Sequence, residues 1–253
     1  MAIYDNLLMS YFGLKTFKTP NHAGIRDLSG LGNVLYIRTN GDNTPSNEVE
    51  YSYDGSTWVS AGYTSSTPIE INIPANGKVF LRSSATKWAN NVNGVMNETR
   101  IYALHEYEVS GNLLSLLYGS SFTGNETTLN SNEKYVFSGL FATSTNLLSA
   151  ENLVINAVGE HSHSSLFFGC TSLSKAPVLS VSVLPEGCFN AMFSSCPINY
   201  IKCLATEMEP YGYSTNYWLY NVSPTGTFVK DASADSWVTG VSGIPEGWTV
   251  QNV

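Results

Sequence analysis

Three pairs of glutamates have a spacing that could perform chemistry. On a strand, residues at i and i+2 share one face, and this spacing is found in Glu48/Glu50, Glu106/Glu108 and Glu207/Glu209. Such pairs can bind calcium or supply the acid and the base of a glycosidase. Nothing in the sequence marks a cleft around them. We therefore expect them to solvate the outer faces of strands, and we predict no catalytic residue.

Two histidines and four cysteines are the other candidates for chemistry. His161 and His163 have the spacing of two metal ligands on a strand, but the chain has only four histidines and no third ligand lies nearby in sequence. We expect loop residues here and no metal site. The cysteines form no CxxC pair, so we expect small buried thiols in the reduced state at Cys170, Cys188, Cys196 and Cys203. The sequence predicts no cofactor, and we expect a protein that is not an enzyme.

A cluster of aromatic residues near the C-terminus could bind sugars. Aromatic faces accept sugar C–H groups, and tyrosine hydroxyls add hydrogen bonds. The cluster consists of Tyr211, Tyr213, Tyr217, Trp218 and Tyr220. The alternative is that these rings form the core at the end of the domain. The sequence favours the core and leaves glycan contact open.

The composition favours short strands and turns. Only 13% of the 253 residues are charged, whereas long surface helices need many Glu, Lys and Arg residues. The net charge is −8 and there is no basic run, so we expect no nucleic-acid binding. The apolar runs are far shorter than the roughly 18 residues of a membrane helix, so we expect no membrane insertion.

The first residues predict a short amphipathic helix. Apolar side chains recur at helical spacing at Tyr4, Leu7, Leu8, Tyr11 and Phe12. So short a helix needs a partner for its apolar stripe, either its own domain or another chain. We take the stripe as an anchoring or oligomerisation segment. The segment has neither the basic start nor the unbroken apolar core of a secretory leader, so we expect synthesis in the cytosol.

Residues 31–109 predict an antiparallel β-sandwich-like domain. Apolar and polar residues alternate there, and turns containing Gly or Asn separate the alternating stretches. The expected strands are Val34–Arg38, Val49–Tyr53, Thr57–Val59, Ile69–Ile73, Val79–Leu81 and Arg100–Val109.

The region that follows contains an internal repeat of 26 residues. Phe141, Phe167 and Phe193 are separated by this interval. The same shift aligns Leu140, Leu166 and Met192, then Ser144, Cys170 and Cys196, and also Leu147 with Leu173. A fixed period of this length is typical of stacked units that bury their apolar sides against one another. We expect all of these residues to form the repeat core.

The predicted fold is therefore mainly β, in four parts. Residues 1–30 form an anchoring helix and a linker, and residues 31–109 form the β-sandwich-like domain. Residues 110–210 form a short solenoid of repeats. Residues 211–253 form a β-rich cap, because the open end of a solenoid must be covered.

Several segments resemble the BspA-type leucine-rich repeats and their C-terminal cap. They are GCTSLSKAPVL (169–179), LPEGCFNAMFSSC (184–196), NYIKCLAT (199–206) and GTFVKDASADSWVTGVSGIPEGWTV (226–250). The resemblance extends to YSYDGSTW (51–58), IPANGKVFLR (73–82) and YEVSGNLLSLLYG (107–119). The copies are few, the first lacks the cysteine, and the third has Pro197 where threonine is usual.

The resemblance implies an adhesin-like or structural role. Such repeats occur in surface proteins of gut Bacteroidetes and in virion proteins of their phages, including crAss-like phages. Without a leader, we expect a phage virion protein: a head fibre, capsid decoration or tail fibre on the virion surface, made in the host cytoplasm. Its expected partners are other capsid or tail proteins, further copies of itself (a trimer is favoured) and host-surface or mucosal glycans. The alternatives are a bacterial cell-surface adhesin that binds glycan or host protein and, as a residual, a glycan hydrolase.

Overall fold

The structure, a computed structural model, describes residues 20–208 and 213–253. The predicted anchoring stripe, from Tyr4 to Phe12, and Tyr211 of the aromatic cluster lie outside the described residues. The fold is mainly β, as the sequence predicts. The strands are β1 (Ala23–Asp27), β2 (Asn33–Asn40), β3 (Glu48–Ser52), β4 (Val59–Tyr63), β5 (Ile69–Ile73), β6 (Lys78–Arg82), β7 (Ala89–Val92), β8 (Val95–Ala103), β9 (Tyr107–Asn112), β10 (Leu147–Val154), β11 (Val183–Leu184), β12 (Tyr200–Cys203), β13 (Glu207–Met208), β14 (Gly226–Lys230) and β15 (Trp248–Asn252). A four-residue helix, α1 (Ser115–Tyr118), runs into a 3-10 turn, Gly119–Ser121.

Two sheets form the N-terminal part of the described chain. The larger has the strand order β10-β9-β1-β6-β3-β4, and the smaller has the order β5-β2-β8-β7. All pairings are antiparallel except the parallel pairing of β9 with β10. Alternate side chains of both sheets enter one hydrophobic core, among them Ile25 of β1, Leu35 of β2 and Leu81 of β6. The period of two in a strand explains why the apolar residues of these segments alternate with polar ones.

Two features of this part differ from the prediction. The single strand expected from Arg100 to Val109 is divided into β8 and β9, which belong to different sheets. The chain crosses between the sheets at Leu104–Glu106, and the Asn33 side chain holds the crossing through hydrogen bonds with the amide and the carbonyl of His105 (2.9 and 3.0 Å). An apolar alternation that continues through the crossing conceals this change of sheet.

The second difference is that the segment assigned to a linker contains β1. This strand lies between β6 and β9 in the larger sheet. Its last residue, Asp27, is buried, and its carboxylate accepts hydrogen bonds from the amides of Ser29 (3.1 Å), Gly30 (3.1 Å) and Asn76 (2.9 Å). The carboxylate thereby fixes the turn that leads into β2.

Four segments, 135–144, 161–170, 187–196 and 213–222, repeat one backbone pattern, and we call them the layers. A positive φ recurs at every fourth residue, for example at Gly139 and Thr143 in the first layer. Alternate amides have different partners. The amide of Ala142 donates within its layer to the carbonyl of Gly139 (2.9 Å), whereas the amide of Phe141 donates to the carbonyl of Leu166 in the next layer (3.0 Å).

Side chains at equivalent positions of successive layers lie in contact. The ring of Phe167 is nearly parallel to those of Phe141 and Phe193, with centroids 5.6 and 5.4 Å away. A second column, which we did not predict, runs through Phe137, His163, Phe189 and Trp218. The other predicted core residues, Leu147, Leu173, Cys170 and Cys196, are fully buried.

The fourth layer lies where the cap was predicted to begin. Its residues 214, 216, 218 and 220 accept hydrogen bonds from the third layer. Trp218 occupies the position of the preceding Leu and Met residues, and Leu219 occupies the position of the phenylalanines, both with buried side chains. This exchange of the large and the small side chain hides the fourth copy in a search for recurring phenylalanines.

The first layer is hydrogen-bonded directly to the β-sheet part. Cys170 and Cys196 each donate a thiol hydrogen bond to the preceding layer, to the carbonyls of Phe141 and Phe167 (3.0 Å each). Ser144, at the same position in the first layer, donates instead to the carbonyl of Ile101 in β8 (3.3 Å). Strand β8 therefore takes the place of a preceding layer.

A run of parallel strands continues along the layers to the C-terminal end. Strand β10 pairs with β9, and isolated bridges link it through Lys175 and Leu179 to Cys203 of β12. Strands β12, β14 and β15 then form a parallel three-stranded sheet, while β11 and β13 form a two-stranded one. No break therefore occurs at the predicted boundary between residues 109 and 110, because β9 spans it.

Candidate functional site

The predicted aromatic cluster divides into a buried and an exposed part. Trp218 is fully buried, donates its indole N–H to the carbonyl of Gly243 (2.7 Å), and stacks on Trp237. Its listing as a possible glycan contact is therefore wrong, because the ring belongs to the core. Tyr213, Tyr217 and Tyr220 are 59, 48 and 51% exposed. We call these three residues the tyrosine surface.

The geometry of the tyrosine surface follows from the alternation within the fourth layer. Trp218 and Leu219 turn inward to continue the columns, so Tyr217 and Tyr220 on either side of them turn outward. Their rings meet edge to face at 5.7 Å. This arrangement leaves two aromatic faces accessible to a ligand from solution.

The predicted histidine pair does not converge on one site. The ring of His163 lies between Phe137 and Phe189 inside the second column, where burial lowers its pKa to about 3. The ring of His161 stacks on Tyr135 instead, at 4.7 Å. No group of three His, Cys, Asp or Glu residues that could hold a metal ion occurs in residues 20–208 and 213–253.

A serine–histidine contact exists, but it is enclosed. The hydroxyl of Ser162 lies 2.8 Å from Nδ1 of His163 and accepts a hydrogen bond from the amide of Gly159 (2.9 Å). Both side chains are almost entirely buried. The contact therefore has a structural part in the layer, where it pairs two buried polar groups.

The four cysteines are buried and free. Burial raises the pKa of Cys203 to about 12 and also raises the pKa of Cys188. The pKa of Cys196 is raised first by its hydrogen bond with Cys170 and then by burial. The thiolate is the reactive form, so these side chains behave as inert core residues.

The glutamate pairs have different surroundings. Glu50 forms a bidentate ion pair with Arg82 (2.8 and 2.9 Å), and Glu108 lies 3.7 Å from Arg26. Glu106 is exposed in the crossing between β8 and β9, so it does not share a strand with Glu108. Glu207 lies in β13, and Glu209 is outside the described residues.

An open cleft of about 410 Å³ lies where the smaller sheet meets the first layer. Tyr36 of β2 and Tyr102 of β8 are directly opposite one another across the strand pair, and their rings stack at 5.2 Å and 17°. Arg38 and Arg100 are the next opposite pair. All four side chains line the cleft, on the sheet face turned away from the core.

The other wall of the cleft is the segment 142–146, which leaves the first layer. Thr143 accepts a hydrogen bond from the guanidinium of Arg100 (3.1 Å), and Asn146 donates to the carbonyl of Leu104 (2.8 Å). Arg100 also forms an ion pair with Glu98 (3.1 Å). A side chain at Gly139 would overlap the Glu98 carboxylate, so this glycine leaves the space for the ion pair.

The two arginines differ in their partners. Glu98 and Thr143 hold Arg100, whereas Arg38 is exposed and no carboxylate of the described chain lies within salt-bridge distance of it. The sequence contained a signal for this cleft that we did not use. Tyr36-Ile-Arg38 reads in reverse as Arg100-Ile-Tyr102, and antiparallel pairing places like residues opposite one another.

The comparisons with protein-family models, with curated proteins and with solved structures each found no match. In the described ranges, no helix combines the length and the apolar character needed to cross a membrane.

Proposed function

We propose that the protein is a non-enzymatic structural component of a phage virion, serving as a head fibre, a capsid decoration or a tail fibre. The N-terminal segment anchors it to other virion proteins of the capsid or tail. The remainder projects from the virion surface and displays an adhesin-like repeat domain. The chain is made in the host cytoplasm and assembles there.

In this proposal the two sheets are a β-sandwich-like domain and the layers are a short BspA-type leucine-rich-repeat solenoid. The residues after the fourth layer are its cap. The observation that carries this proposal is the contact between equivalent side chains at intervals of 26 residues, as in the column of Phe141, Phe167 and Phe193. A stack of this kind is held by contacts between neighbours along its length, which suits a protein that displays a surface.

The contacts of the candidate catalytic groups also support a role without chemistry. Glu50 and Glu108 are ion-paired with arginines. The pair of Ser162 and His163 is buried in the layers, with the pKa of the histidine far below neutrality. These groups are engaged in holding the fold.

The proposed assembly is a homo-oligomer, with a trimer favoured. Closed symmetry lets the apolar stripes of several N-terminal helices, each from Tyr4 to Phe12, cover one another. Several copies on one particle would add avidity to weak contacts with host-surface or mucosal glycans. The tyrosine surface (Tyr213, Tyr217, Tyr220) offers aromatic faces for such contacts.

Deletion of residues 2–19 tests the anchoring role. We expect a folded, soluble protein that no longer enters particles. The double variant Leu7→Ser/Leu8→Ser should have the same effect, whereas the off-stripe control Asn6→Ser should be incorporated normally. Normal incorporation of the truncated chain or of the double variant would contradict the anchoring role.

A bacterial cell-surface adhesin is the alternative, and the exposed tyrosine surface favours it equally. The two settings differ in export. A leader or lipobox encoded upstream of Met1 in the native gene would favour the adhesin. Capsid, portal and tail genes beside an open reading frame that starts at Met1 would support the virion protein.

A further inference from the structure

The cleft between the smaller sheet and the first layer combines an aromatic platform with an uncompensated positive charge. Tyr36 and Tyr102 form the platform, and Arg38 and Arg100 lie beside it. Its volume of about 410 Å³ falls within the range of about 300–1,000 Å³ for small-molecule sites. We propose that this cleft binds an anionic saccharide, a sugar that carries a carboxylate or a sulfate group.

The opposed arginines indicate the charge of the ligand. Like charges directly opposite one another on adjacent strands destabilise a sheet. Glu98 compensates Arg100 only. Glu70 is the nearest carboxylate on the other side of β2, opposite Tyr36, and it forms no salt bridge with Arg38 in the described residues. An anionic group bound between the guanidinium groups would remove this repulsion and form charge-assisted hydrogen bonds.

The rest of the cleft suits a sugar ring. The stacked tyrosines present a surface for C–H groups and two hydroxyls for hydrogen bonds. Thr143, Thr145 and Asn146 on the facing wall supply further hydroxyl and amide groups. The hydrogen bonds of Asn146 to β8 hold this wall in position, so the site is formed before a ligand arrives.

The charge of the whole chain favours a ligand with few charges over a polyanion. The net charge of −8 repels an extended phosphate backbone, and binding such a backbone requires many lysines and arginines. A saccharide with one acidic group meets the local positive charge of two arginines. We therefore favour it over a single-stranded nucleic acid, which would also stack on tyrosines.

Calorimetric titration of the purified full-length protein tests the site, independently of incorporation into particles. The probes are a glucuronate-containing disaccharide, the neutral disaccharide with glucose in place of glucuronate, a disaccharide with one sulfate, and a short oligothymidylate. We expect the acidic sugars to bind at least about tenfold more tightly than the neutral one, and added salt to weaken this preference. The ratio of the two acidic sugars identifies whether carboxylate or sulfate is the preferred group.

The variants separate the charge from the platform. Arg38→Gln should abolish the preference for acidic sugars, whereas the matched control Arg26→Gln, on the larger sheet, should retain it. Tyr102→Val should weaken binding of acidic and neutral sugars alike while keeping a residue suited to a strand, and the control Tyr63→Val on the edge strand β4 should not. Circular dichroism and thermal unfolding verify that each variant is folded.

Four results would overturn the proposal. They are the absence of binding by any acidic sugar, equal affinity for the neutral sugar, full binding by the folded Arg38→Gln variant, and tighter binding of the oligothymidylate than of the sugars. Sugar binding that is lost in Tyr217→Ser/Tyr220→Ser, but not in the cleft variants, would place the site on the tyrosine surface instead and would also refute it.

Discussion

His163 should make the stability of the protein depend on pH between pH 7 and pH 5. Its ring lies in the second column between Phe137 and Phe189, and its side chain is 1% exposed. Burial lowers its pKa from 6.5 to about 3. The folded protein therefore holds a neutral imidazole, while the unfolded chain takes up a proton as the pH falls below 6.5.

The sign and the size of the effect follow from this difference in pKa. Stability from the neutral ring is fully present above pH 6.5 and is lost as the pH falls from 6.5 toward 3. Each pH unit in that window costs about 1.4 kcal/mol. Between pH 7 and pH 5 the free energy of unfolding should therefore fall by about 2 kcal/mol because of this one group. This loss is a large fraction of the stability of an ordinary domain.

Urea unfolding at pH 7, 6 and 5, followed by tryptophan fluorescence, measures the effect. His163→Phe places at this position the residue found in the layers before and after it, and it should remove about 2 kcal/mol of the pH dependence. His161→Phe leaves His163 in place and should keep that dependence. Equal changes in the wild type and in His163→Phe would refute the assignment of a buried neutral ring.

Three further changes probe the packing and the turns. Phe167→Ala should lower the free energy of unfolding by about 3–5 kcal/mol because it empties the middle of a ring column, whereas the neighbouring exposed control Phe168→Ala should change it by less than about 1 kcal/mol; similar losses in urea titrations would contradict the column. Asp27→Asn should cost about 1–3 kcal/mol at pH 7. Hydrogen bonds from Ser29 and Asn76 outweigh burial and lower the pKa of the Asp27 carboxyl, so its stabilisation is present above pH 3.8 and is lost as the pH falls below that value; an unchanged acid transition in the variant would show that the carboxylate does not hold the turn. Gly187→Ala should lower the thermal midpoint, since Gly187 has φ of +62° and a Cβ atom there would overlap the ring of His161, and an unchanged midpoint in calorimetry would indicate a different backbone at this position.

The sequence predicts the elements whose periodicity is simple. The alternation of apolar residues locates β2, β5 and β6, and the interval of 26 residues brings together Phe141, Phe167 and Phe193. In both cases the residue pattern repeats the geometry of the backbone. The second column, Phe137, His163 and Phe189, has the same interval, but one histidine among phenylalanines obscured it.

The pairing of distant strands is harder to read. Strand β1 belongs to the larger sheet although its short sequence contains Gly24 and follows a proline- and asparagine-containing stretch. Its place depends on partners more than fifty residues away in sequence. Similarly, the parallel pairing of β9 with β10 joins parts that the sequence suggested were separate, because nothing in the local pattern of either strand records its neighbour.

The cleft illustrates the same limit for function. Each of its strands contributes an ordinary alternating segment, and only the register of Tyr36 with Tyr102 makes an aromatic platform flanked by two arginines. The tyrosine surface, in contrast, could be anticipated as a cluster in the sequence. The alternation within the fourth layer then decided that Trp218 is buried and that its neighbours are exposed.

Quantitative mass spectrometry of purified phage particles, beside the envelope fraction of the host cells, tests the proposed virion role most directly. We expect peptides of this chain in the particles in a fixed ratio to a capsid or tail protein, together with surface labelling of intact particles by antibodies against residues 20–253. Recovery of the chain in a bacterial envelope fraction, with none in the particles, would contradict the account.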